Sequence, residues 1–87
     1  MKELIKRYEA KRDVSDVFDK LYENNPDNKE IEVLADYAYK KYHEVFVELV
    51  EEIVKVSGGR ISMDIAKKMI ITDFDRLKNI LNEYQEV

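Results

Sequence analysis

The chain predicts an all-α fold, a long central helix flanked by shorter helices, either histone-fold-like or a three- or four-helix bundle. Two observations carry this. Apolar residues recur at spacings of three and four along most of the length, the period of a helix with one buried face. Only two Gly and one Pro punctuate 87 residues, and they sit where breaks are needed.

The first segment sets Leu4, Ile5 and Tyr8, then Val14, Val17, Phe18, Leu21 and Tyr22, on one stripe. Its middle, Glu9 to Asp13, has no large apolar side chain, and Asp13 or Ser15 could cap a fresh helix there. One helix or two is therefore open. Asn24-Asn25-Pro26-Asp27-Asn28 then marks a turn, because Asn and Asp tolerate turn conformations and Pro26 disfavours helix at Asn25. The second segment, Ile31 to Val54, repeats apolar residues at three and four and predicts one helix from about Lys29 to Val56. At ~1.5 Å per residue it would span roughly 40 Å, about twice the mean helix length. Its ends must lie against flanking helices or a second chain. Ser57-Gly58-Gly59 is a stop signal. Ser62 can cap a helix over Met63–Met69. Ile70-Ile71 reads as a short extended link, with Thr72 capping a last helix whose stripe is Phe74, Leu77, Ile80, Leu81 and Tyr84. One uninterrupted helix from Met63 to Tyr84 is the alternative.

Composition bounds the rest. The length implies a single helical domain, residues 1–87, and a core this small is marginal on its own. Without cysteine there are neither disulfides nor thiolate metal sites. Oligomerisation remains as the route to added stability. The formal net charge is −4, which argues against indiscriminate binding to nucleic acid. The charge is uneven: Lys2, Lys6, Arg7, Lys11 and Arg12 dominate residues 1–12, and residues 13–36 are acidic. A basic start before an acidic segment is either a contact arm or a solvated helix face. No apolar run approaches the ~18 residues of a membrane span, and the start lacks the apolar core of a secretory signal. The expectation is an intracellular protein, in cytoplasm or nucleus, with no membrane partner.

Searching for chemistry leaves no catalytic residue, cofactor or metal site to name. His43-Glu44 begins a zinc-protease pattern, but position 47 is Val47 where a second imidazole is required. Tyr39 and Val47 flank His43 at four residues' distance and suggest a half-buried structural histidine. Glu44, Glu48, Glu51 and Glu52 crowd one helix without the Glu-x-x-His of di-iron bundles, and read as a solvated face. Ser15, Ser57 and Ser62 lie in no nucleophile turn, and Gly58-Gly59-Arg60 lacks the spacing of a phosphate loop. The chain is expected not to be an enzyme. Tyr37, Tyr39 and Tyr42 spread around the central helix, so an exposed member marks either a contact surface or the edge of an intramolecular core. The expected interface is Tyr39, Tyr42, Phe46, Leu49 and Ile53, pairing with a protein partner as a homo- or heterodimer.

Two DNA-binding patterns fit parts of the chain. Ser62 to Leu81 can be laid out as helix-turn-helix with a turn at Ile70–Thr72. Asp73 and Asp75 would then start the recognition helix, where phosphates repel them. The other pattern is architectural. Arg60-Ile61 followed by Asp64-Ile65-Ala66, after a very long helix, resembles the second loop and third helix of the histone-fold family. Within it, Val45 to Glu52 and Ile71 to Leu81 are similar to the CENP-X-like branch, small non-nucleosomal subunits that pair with another histone-fold chain. The resemblance covers roughly residues 29–84. It implies two chains crossing their long helices, association with chromatin, and Arg60, Lys67 and Lys68 as candidate contacts to duplex DNA. The long first segment and the acidic balance depart from the core histones. A self-contained helical bundle that regulates or inhibits another protein, for instance one encoded by a mobile element, is the competing expectation.

Overall fold

The computed structural model describes the backbone of residues 1–85 and the side chains of residues 1–84. Glu86 and Val87, the end of the expected single domain, lie outside the described residues. The fold is all-α, with four helices and no strand among the described residues: α1 Lys2–Asn24, α2 Lys29–Val56, α3 Met63–Thr72 and α4 Phe74–Gln85. Two compact units divide the chain, Met1–Leu49 and Val50–Val87, and α2 contributes to both. No helix among the described residues is long and apolar enough to cross a membrane.

In the first unit α1 runs antiparallel along α2. The Tyr8 ring packs 5.6 Å from Tyr42 and 6.4 Å from Phe46, and Arg7 pairs with Glu48 at 3.4 Å. Towards the other end of α1, Asp19 and Tyr22 share a hollow with Glu32, Ala35, Asp36 and Tyr39. α1 is one helix of 23 residues. Neither Asp13 nor Ser15 caps a new one. The stretch Glu9-Ala10-Lys11-Arg12 consists of strong helix formers, and the Arg12 guanidinium rests 5.8 Å over the Tyr8 ring. The turn works through its asparagines. Asn25 Nδ2 donates to the Leu21 carbonyl at 3.0 Å. Asn28 Oδ1 accepts from the N–H groups of Glu30 and Ile31 at 3.0 and 3.2 Å, satisfying two donors that the start of α2 leaves open. Glu30 and Glu32 in the first turn of α2, and Lys55 in its last, suit the helix dipole.

The end of α2 is a two-glycine stop. The N–H of Gly59 donates to the Val54 carbonyl at 2.9 Å and that of Gly58 to Lys55 at 3.1 Å. This is the paired bonding of a helix closed by a left-handed residue. Gly58 has φ +63° and Gly59 φ +87°. Ser57 is buried. Its hydroxyl donates to the Val54 carbonyl at 3.1 Å and accepts from the Ile61 N–H at 3.0 Å, tying the loop to the helix end.

In the second unit Ser62 Oγ accepts from the Ile65 N–H at 3.2 Å and caps α3. Ile70 and Ile71 are helical, so there is no extended link. Thr72 ends α3 instead of starting α4: its hydroxyl donates back to the Lys68 carbonyl at 2.6 Å. Asp73 alone separates the two helices. Its N–H donates to Met69 at 2.9 Å and its carbonyl accepts from Leu77 at 3.2 Å. A junction of one residue falls short of the three- or four-residue turn of helix-turn-helix. Leu77 and Leu81, one turn apart on α4, are fully buried.

Two substitutions test this account. A Cβ at position 58 would meet nothing within 4 Å, so Gly58→Ala carries only the left-handed backbone penalty and should lower stability by about 1 kcal/mol in urea unfolding. Leu77→Ala opens a cavity and should cost roughly 2–5 kcal/mol by the same measurement.

Candidate functional site

Small side chains form the buried line between α1 and α2. Ser15, Ala35 and Ala38 are all buried there. Larger apolar groups lie beside that line and remain uncovered. Val14, Val17 and Leu21 of α1 and Val33, Leu34 and Tyr37 of α2 are between 41% and 66% exposed. α1 therefore carries two adjoining apolar stripes. Ile5, Tyr8 and Ser15 are buried on one. Val14, Val17 and Leu21, spaced three and four apart, make the other and stay open to solvent.

The exposed stripes of α1 and α2 enclose a groove of about 250 Å³ lined by Val14, Phe18, Leu34, Tyr37 and Ala38, with Lys11 and Lys41 at one end. It continues through Val14 and Phe18 to a hollow beside Asp13 and Val17, and through Leu34 to one beside Lys29, Glu30 and Val33. The lining is apolar and its charges sit at the ends. The other side of the line is different in kind: Asp19, Glu32 and Asp36 surround a hollow of about 280 Å³ with Tyr22 and Tyr39. No group of three His, Cys, Asp or Glu able to hold a metal ion occurs among the described residues.

The five residues expected at an interface do not share one open face. Tyr39 is 54% exposed, beside the acidic hollow. Tyr42 and Phe46 are half-buried against Tyr8. Leu49 and Ile53 have no exposed surface at all, so the chain itself covers them. From Ala35 to Glu48, α1 lies along α2 within the same chain. Of the tyrosine trio, Tyr37 and Tyr39 are the exposed members. His43, expected on a half-buried side, is exposed and stacks between Tyr39 and Phe46 with ring centroids 6.2 Å from each.

Arg60 lies in the loop after α2, and Lys67 and Lys68 lie on α3. All three are exposed, and none is ion-paired among the described residues. Lys67 and Lys68 are consecutive, so they project about 100° apart around α3.

Sequence periodicity missed the open groove because it merged both stripes of α1 into one. The available signal was the seven-residue spacing of Tyr8 and Ser15 against that of Val14 and Leu21. Ala35 and Ala38, small residues one turn apart on the central helix, mark where α1 lies.

The Tyr8 hydroxyl sits 3.4 Å from that of Tyr42. Burial first, then the hydrogen bond to Tyr42 and the charge Tyr42 would carry, push its ionisation well above the ordinary value of 10.0. The folded state thus holds this proton more tightly than the unfolded chain does. The contribution is intact below pH 10 and is lost as pH rises beyond it. Melting temperatures should fall above pH 10, and fall less in Tyr8→Phe.

No family model, curated protein or solved structure matches the chain.

Proposed function

We propose that the chain is a non-enzymatic protein–protein interaction module that pairs through the exposed apolar flank of α1 and the N-terminal half of the long helix α2. One observation carries the reading: Val14, Phe18, Leu34 and Tyr37 line an open apolar groove, with Val17, Leu21 and Val33 exposed beside it, while Ser15, Ala35 and Ala38 are buried. Patches of this kind on a single chain are commonly functional. Burying apolar surface is worth about 25 cal/mol per Å², so a partner helix set into the groove gains what α1 and α2 leave unused. The non-enzymatic character is supported by the inventory of reactive groups. There is no cysteine, the single histidine is stacked between rings, and the Ser57 hydroxyl is committed to the loop. A regulator or inhibitor of another protein would use the same surface.

Replacing Val17 and Leu34 together by Asp tests the reading. Isolated with its partner, the wild-type chain should elute as a complex of fixed stoichiometry by light scattering. The double variant should elute at monomer mass with unchanged helicity, since both side chains are solvent-facing and surface changes cost within about 0.5 kcal/mol. A complex that survives both substitutions would sink this surface.

A second reading has its own observation. The 28-residue α2, the loop 57–62 and the ten-residue α3 follow the order of the histone-fold resemblance, and Arg60, Lys67 and Lys68 stand exposed and unpaired beyond α2. A chromatin-associated subunit would bind duplex DNA through them, and affinity would fall steeply with salt. Titration at two salt concentrations decides it. Binding that ignores salt, or no binding, removes nucleic acid.

A further inference from the structure

We infer that the occupant of the groove is a second copy of this chain, seated face to face about a two-fold axis. The inference rests on the reading of that flank as a docking surface and adds the identity of what covers it.

The first argument is the distribution of charge along the groove. Lys11 stands at one end without an ion pair among the described residues, and beside it Lys41 lies 5.5 Å over the Tyr37 ring and 3.7 Å from Glu44. At the other, Lys29 turns towards Glu32 at 4.0 Å, leaving Glu30 and the neighbouring Asp27 without an ion pair among the described residues. The lysine end is thus positive and the turn end negative. A two-fold axis through the middle of the groove sets each end against the opposite end of the other copy. Lys41 then faces Glu30 of the partner subunit, and the same contact recurs on the other side. Self-complementarity of this kind is what an isologous interface requires.

Area is the second. Six large apolar side chains, each about half exposed, present on the order of 500 Å² per copy. Two copies bring ~1,000 Å² of apolar surface alone, which is where specific interfaces begin. The stems of Lys11 and Lys41 add to it.

Spacing is the third. Ala10, Val14, Val17 and Leu21 follow one another by four, three and four residues, the seam of a helix that packs against a near-parallel or antiparallel neighbour. Pairing two such hairpins gives four helices around one shared apolar line, a packing that short chains without disulfides use to complete a core.

The experiment is a sedimentation and light-scattering dilution series on the purified full chain from high to low micromolar concentration. A dimer that dissociates on dilution is expected, with Val17→Asp or Leu34→Asp monomeric at unchanged helicity by circular dichroism. Lys41→Glu should weaken the dimer about tenfold, and Lys41→Glu combined with Glu30→Lys in the same chain should restore it. A wild-type chain that stays monomeric at the highest concentration would overturn the second copy and leave the groove to a different protein. A dimer that persists in Val17→Asp and Leu34→Asp would overturn both the second copy and the docking surface. Loss of affinity in Lys41→Glu without rescue by Glu30→Lys would overturn the two-fold arrangement.

Discussion

Everything in the first unit depends on the contact of α1 with α2. Ser15 of α1 and Ala35 and Ala38 of α2 are buried, and all three are small. Such a contact is held by its two aromatic ends: Tyr8 against Tyr42 and Phe46 near the start of α1, and Tyr22 beside Tyr39 near its end. Between those ends bulk is displaced sideways. Valines and leucines that would normally fill the middle of a hairpin lie on its flank instead, and the open groove is the direct result.

The polar groups at the helix ends make the rest of the architecture specific. Asn25 and Asn28 close the turn with side-chain bonds. Gly58 and Gly59 close the end of α2 by backbone geometry that side chains resist. Ser57 then joins the helix end to the next loop through one hydroxyl used twice. These are short-range devices, each set by one or two residues, and they fix where helices stop without choosing what the helices bury.

That division explains what was legible in the sequence. The bounds of α2 follow from the turn residues and glycines around it, and the structure places it at Lys29–Val56. The cap at Ser62 was equally readable. Which stripe of α1 faces inward was not, because Tyr8, Ser15 and Val14, Val17 both satisfy helical spacing. Only the partner helix, with alanines at 35 and 38, decides between them. Thr72 misled for a related reason. A threonine hydroxyl can serve the helix after it or the carbonyl four residues before it, and here it bonds Lys68. The length of α2 pointed to Leu49 and Ile53 as interface residues, and in the structure both are buried.

The acidic hollow formed by Asp19, Glu32 and Asp36 gives the hairpin a second, self-avoiding side. Carboxylates gathered around an opening repel another copy of themselves and keep that opening wet. A helical pair with an adhesive flank and no such counterpart would keep stacking, layer upon layer, into an open-ended polymer. On the proposed pairing, one flank joins two copies and the other repels a further one, so association has a natural end point.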